Sequence, residues 1–187
     1  MNHLHIEKKG LRGLGIAESF RQEEKSSTLA GVVMRRDLVV DGFVLGHATI
    51  EGDDATESIL EMFDRLERDD ISYVMISGLI ISMYNIIDIK KIWAKLKIPV
   101  IGVTYQESEG IEDALRYHFE DSYQSKMEKY HKLGPRSEIN LHTGHKIFAR
   151  FDGCTLDETT KLLDALTLQG SIPEPLRVAQ LLARTVK

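Results

Sequence analysis

The sequence predicts an α/β fold, a five-stranded mixed sheet with helices on both faces. Three observations carry this expectation. Apolar and polar residues alternate through the first fifty positions, and the period lengthens to that of a helix after Ile50. Two later runs, "ISYVMISGLII" and "IPVIGVTY", are continuously apolar, as in strands covered on both faces. Amphipathic segments separate these runs, the order of parallel strands joined by right-handed crossovers.

The elements follow in chain order. "LRGLGIAES", "LAGVVM" and "LVVDGFVLGHATIE" read as three strands too close in sequence for a parallel crossover, so they should pair antiparallel. "DDATESILEMFDRLERDD" reads as a helix with Ile59, Phe63 and Leu66 on one face. Asp54 and Glu57 stand at capping-box spacing, so Asp54 is expected to cap this helix and Asp53 to favour its dipole. "ISYVMISGLII" is the fourth strand, "NIIDIKKIWAKLK" a helix through Ile89, Trp93 and Leu96, and "IPVIGVTY" the fifth strand. Gln106 to Ile139 reads as charged and mostly helical, stopping at Gly134-Pro135. "HKIFARF" has the alternation of one more strand. Thr155 and Glu158 form a second capping-box pair ahead of Leu162, Leu163 and Leu166. "GSIPEPLRVAQLLARTVK" closes the chain with a proline-framed helix whose stripe is Leu176, Ala179, Leu182 and Ala183. That stripe should be buried on the sheet beside the fourth-strand edge.

Composition bounds the function. The 187 residues suit one domain, taken as 1–187, with 42% apolar and 28% charged residues. A net charge of −5 gives no global attraction to nucleic acid, so such binding needs a local basic patch. Lys126, Lys129, Lys132, Arg136 and Lys146 could offer one, although Glu128 dilutes it and a solvated helix face is the default reading of such charge. Cys154 is the only cysteine, so no intramolecular disulfide is possible. An idle thiol is the plainer reading of it than a nucleophile, because no base is placed by sequence. His142 and His145 lack a third zinc ligand. "GLRGLG" fails the spacing of a dinucleotide fingerprint. The opening residues have no signal-peptide pattern and no apolar stretch reaches membrane-spanning length. A cytoplasmic protein without a membrane partner is the expectation.

A resemblance sharpens the picture. "IPEPLRVAQLLAR" resembles the closing helix of endonuclease V, where a Pro-Glu-Pro step leads into an Arg-x-Ala helix. "KIPVIGVTY" resembles that family's Pro-x-Ile-Gly-Val-Ala strand, and "FARFDGCTLDETTKLL" its Gly-His strand-to-helix step. From about Leu11 to Lys187 the chain also resembles an archaeal family of uncharacterised proteins, a domain of unknown function related to endonuclease V. "GVVMRRDLVVDGFVLGHATIEGDDAT" and "MISGLIISMYNIIDI" carry this likeness. It implies an RNase H-like, endonuclease V-like fold with strand order 3-2-1-4-5.

The same resemblance implies a site and exposes departures from it. RNase H-like nucleases hold two metal ions between strand-end carboxylates. The family's first-strand aspartate falls on Ala17, its fourth-strand aspartate on Ser77 and its late histidine on Cys154. Its glutamate falls near Glu51 or Asp53, and its Pro-Tyr-Ile-Pro wedge has no counterpart in "GFVLGHATIE". Alanine, serine and a thiol do not supply the charged oxygen donors that Mg²⁺ requires. The implied protein is a nucleic-acid binder or interaction protein with a degenerate metal site, which cleaves neither inosine- nor uracil-containing DNA or RNA. The alternative is a Mg²⁺- or Mn²⁺-dependent nuclease with displaced catalytic carboxylates at Glu18, Glu51 and Asp53, with Asp152 also available. DNA or RNA is the candidate partner, with Lys126, Lys129, Arg136 and Lys146 as its candidate contacts; the interaction-protein reading leaves the partner open. No cofactor is implied beyond that metal, and the oligomeric state is not legible.

Overall fold

The computed structural model describes residues 4–21, 23–120 and 122–186. β1 (Arg12–Ser19), β2 (Ser26–Arg35) and β3 (Val40–Thr49) form the expected antiparallel meander. α1 (Ala55–Arg65) crosses to β4 (Ile71–Ser77), which pairs parallel to β1. α2 (Ile89–Leu96) crosses to β7 (Val100–Thr104), parallel to β4. Between β4 and α2 lies a small hairpin, β5 (Ile80–Ile81) and β6 (Asn85–Ile86). After β7 come α3 (Glu112–His118), α4 (Tyr123–Lys132), β8 (Ser137–Asn140), β9 (Lys146–Asp152), α5 (Leu156–Ala165) and α6 (Glu174–Thr185).

The main sheet runs β3-β2-β1-β4-β7-β9-β8. The expected order of five strands is present and two more extend it, because β9 pairs antiparallel to β7 and β8 to β9. β8 is hard to see in the sequence because it is only four residues long, "SEIN", between the α4 stop and the turn at Leu141–His145. The apolar run "ISYVMISGLII" also breaks earlier than expected. Gly78, at φ 84°, ends β4, and "NI" forms β6 instead of opening the following helix.

Alternation along each strand fills both faces. Leu14, Ile16, Val74 and Ile76 face α1 and α2, where Ile59, Met62 and Ile92 complete the core. Tyr73, Met75, Ile101 and Val103 pack with Leu162 and Leu163 of α5 and Leu176 of α6. α6 lies chiefly across β1 and β2, not beside the β4 edge. Gly15 explains the position. A β-carbon there would come within 2.6 Å of the Pro175 side chain, so only glycine admits the "PEP" step onto β1. Among the described residues no helix is long and apolar enough to cross a membrane.

Candidate functional site

The C-terminal ends of the parallel strands β1, β4 and β7 lie at one edge of the sheet, where open α/β sheets bind ligands. Ala17 and Ser77 follow the paired residues Ile16 and Ile76 on β1 and β4. Ala17 is buried against Val32, Met34 and Ala179 of α6. The Ser77 hydroxyl lies 3.3 Å from the Tyr105 hydroxyl and accepts from Gln180 Nε2 at 3.0 Å. Burial pushes the Tyr105 hydroxyl up to about 12. At the ends of β1 and β4 stand a methyl group and a hydroxyl, both covered by α6.

Cys154 begins the turn into α5, behind Gly153 at φ 80°. Its sulfur lies 3.3 Å from Thr159 Oγ1, and burial pushes the thiol up to about 11. The capping box predicted for the next helix is present, with Thr155 and Glu158 bonded reciprocally.

The expected carboxylates do not gather in threes around one point among the described residues. Both oxygens of Glu18 accept from the Ser82 backbone N–H at 2.9 Å, and the Ser82 hydroxyl donates to the same carboxylate at 2.8 Å. Glu51, at φ 59°, donates its own N–H to the Ser82 carbonyl at 2.7 Å. Asp53 is held by Lys129 at 2.8 Å and Lys126 at 3.3 Å. Burial alone would raise the Asp53 carboxyl, but the two ammonium groups hold it below its ordinary value. Asp152 closes β9 opposite Val100. No group of three histidine, cysteine, aspartate or glutamate side chains that could share a metal ion occurs among the described residues.

Asp54 does not cap α1 through its side chain. Its carboxylate turns back to Thr49 and to Asn85 Nδ2, the latter at 2.7 Å, and Asn85 Oδ1 accepts the Ala55 N–H at 3.1 Å. Asn85 from the β5–β6 hairpin has taken over the cap. That hairpin turns through Ser82, Met83 and Tyr84, at φ 46°, 54° and 71°. Three successive left-handed non-glycine residues are costly, about 1–3 kcal/mol each where strain of this kind has been assessed. Glu18, Glu51 and the buried Ser27 hydroxyl, 2.6 Å from Ser82 Oγ, hold the turn in place. The sequence hints at this only through Asn85, a residue type that favours turns and helix caps.

The five basic residues do not form an open strip. Lys126 is buried, its ammonium on the Gly52 and Tyr84 carbonyls at 2.8 and 3.1 Å and over the Phe119 ring. Lys146 pairs with Glu138 at 3.1 Å, and Lys129 with Asp53. Lys132 lines a separate pocket beside α2 and α4. Arg136 reaches across to the Gln106 and Ser108 carbonyls at 2.9 and 3.1 Å. There it lines a cleft of about 590 Å³ with Ser77, Tyr105, Glu107, Tyr130 and Arg150. Arg150 is inconspicuous in the sequence because it is the polar partner in the alternation of "HKIFARF". His142 bonds Asp164 through its ring, at 2.8 Å.

The endonuclease dU family model matches residues 9–187. A UPF0215 protein of Pyrobaculum calidifontis is 35% identical over 175 residues, 93% of this chain and 96% of the relative. A second, from Pyrobaculum aerophilum, is 38% identical over 171 residues, 91% of each chain. Among solved structures, a protein of unknown function from Archaeoglobus fulgidus superposes with a TM-score of 0.81 at 26% identity, covering 94% of this chain and 98% of that one. Endonuclease V of Ciona intestinalis, in complex with a 23mer DNA containing an inosine, superposes with a TM-score of 0.60 at 14% identity, over 93% of this chain and 84% of that one. That second likeness concerns the fold alone.

Proposed function

Because this chain belongs to the endonuclease dU family, we propose that it binds DNA or RNA at the C-terminal edge of β1, β4 and β7 and does not perform the inosine-specific cleavage of endonuclease V. One observation carries the second half of this reading. Ser77 is bonded to Tyr105 and Gln180, and Ala17 is sealed under α6, where a two-metal nuclease needs carboxylates open to the ions. Among the described residues no three carboxylate, histidine or thiol groups gather to hold a metal, which does not fit a Mg²⁺ pair. The first half is supported by the cleft beside Ser77, which joins two arginines to two tyrosines. Arginine and aromatic rings are the usual equipment for phosphates and unstacked bases.

A second reading is favoured by the family's description. An endonuclease directed at deoxyuridine would share this fold and cleft while differing from endonuclease V in its catalytic groups. Glu18, at the end of β1, is the carboxylate such chemistry would draw on first. The test is fluorescence anisotropy with uracil-containing, inosine-containing and unmodified oligonucleotides, with strand integrity read from the same samples. Binding with intact inosine strands supports the main reading. Nicking confined to uracil strands selects the second, and no binding to any strand removes both.

A further inference from the structure

Two guanidinium groups sit at the same cleft with no carboxylate partner among the described residues. Arg136 donates to the Gln106 and Ser108 carbonyls and to Thr104 Oγ1 at 3.3 Å, and lies 4.7 Å above the Phe148 ring. Arg150 donates through Nε to the Gly134 carbonyl at 2.7 Å and lies 5.8 Å above the Tyr130 ring. Among the described residues neither forms a salt bridge, although the chain carries a net charge of −5 and pairs Arg12, Arg35, Arg68, Arg116 and Arg177 with acids. Neutral carbonyls and rings fix these two side chains without cancelling their charge.

The other ionisable groups at the cleft are few. Glu107 lines it and sits 3.8 Å from Lys146, while Tyr105 and Tyr130 present phenols. Burial pushes the Arg150 guanidinium below its ordinary value, Tyr130 opposes this through its hydroxyl, and the neighbouring charge of Arg136 adds to the lowering. Two like charges held together in a half-buried cleft are costly on their own and favourable around an anion. The cleft, at about 590 Å³, is within the size range of small-molecule sites.

We propose that Arg136 and Arg150 form a phosphate-binding site for one nucleotide unit, with the Tyr130 side of the cleft receiving its base or sugar. The inference rests on the nucleic-acid reading above and names where the strand's phosphate is held. The main-chain anchors make the site preorganised, since neither guanidinium must reorder to meet its ligand.

The test uses the full chain, the phosphorylated dinucleotide pTpT, unphosphorylated thymidine and a single-stranded oligothymidylate. The expected result is binding of pTpT but not thymidine, weakened about tenfold or more by Arg150→Gln and less by Arg150→Lys. The salt dependence of oligothymidylate binding should flatten by about 0.7 in log–log slope, because the Arg150→Gln protein neutralises one phosphate fewer. A loss of stability alone would not change that slope. Since Arg150→Gln also frees the Gly134 carbonyl, a measurement on the unaltered protein stands beside it. There, pTpT should protect Arg136 and Arg150 from phenylglyoxal. Unprotected arginines, or an Arg150→Gln protein with unchanged affinity and slope, overturn the inference and leave the broader reading standing. Binding of pTpT with this protection, but no binding of oligothymidylate, upholds the phosphate site and removes the broader reading. Binding of neither removes both.

Discussion

Glu18 and Ser82 are joined three times over. The carboxylate at the end of β1 takes the Ser82 N–H on both oxygens and the Ser82 hydroxyl on one. Ser82 opens the left-handed turn of the β5–β6 hairpin, so the carboxylate pins a strained element to the sheet. A hydrogen bond to a charged group contributes about 1.5–3 kcal/mol. Glu18→Ala should therefore destabilise the fold by at least that amount in urea unfolding. A carboxylate kept for catalysis behaves differently, because its removal often leaves stability unchanged or raised. An unchanged or raised midpoint for Glu18→Ala would assign Glu18 to chemistry instead.

Gly15 and Pro175 predict the cost of crowding the β1–α6 contact. A methyl group on residue 15 would come within 2.6 Å of the Pro175 side chain and 2.8 Å of its carbonyl carbon. Gly15→Ala should lower stability by about 1–3 kcal/mol through overpacking. Gly10→Ala, where nothing lies within 4 Å, should stay within about 0.5 kcal/mol of the parent. Removing the chain from Pro175 onward exposes Val32 and Met34 and should cost several kcal/mol.

The pair of lysines around Asp53 predicts acid sensitivity of one sign. The folded carboxyl titrates below its ordinary value of 3.8. Its contribution is fully present above that pH and is lost as the pH falls through the folded value. Asp53→Asn should flatten the fall in stability below about pH 4 in thermal melts across an acid series. An unchanged acid limb would show that the lysines do not interact with Asp53 in solution.

Cys154 should be a slow thiol. Its ordinary value of 9.0 is pushed up to about 11, which makes the thiolate about a hundredfold scarcer near neutrality. Alkylation by iodoacetamide should run far faster in the urea-unfolded chain than in the folded one. Equal rates would mean that the thiol is not shielded by its surroundings.

The sheet is legible in the sequence because burial writes itself into periodicity. Val74 and Ile76 alternate with Tyr73 and Met75, and both faces are apolar, so the β4 run could only be covered on both sides. The carboxylate environments are not legible, because they depend on chain-distant partners. Glu18 meets Ser82 across 64 residues and Asp53 meets Lys129 across 76. Asp54 illustrates the difference. Local spacing marks it as a cap, and a distant Asn85 draws its carboxylate away and bonds the helix end itself. Arg136 stands out through its basic neighbours, whereas Arg150 needs the turn that brings β9 beside α4.

Ala17, Ser77 and Cys154 give a constructive prediction under the degenerate-site proposal. Ala17→Asp, Ser77→Asp and Cys154→His introduced together should create Mn²⁺ binding measurable by calorimetry, where the parent shows none. Two new carboxylates on neighbouring strands supply the charged oxygens that the parent lacks at these positions. If the triple variant folds and still binds no Mn²⁺, the three positions do not converge on one site.

The decisive measurement is strand scission on a duplex carrying a single inosine, with Mg²⁺ or Mn²⁺, under conditions where binding has been verified. A degenerate metal site leaves the bound duplex intact, with no difference between the parent and its Glu18→Gln and Asp53→Asn variants. Cleavage beside the inosine that either substitution abolishes would contradict it and establish a metal-dependent nuclease with displaced ligands.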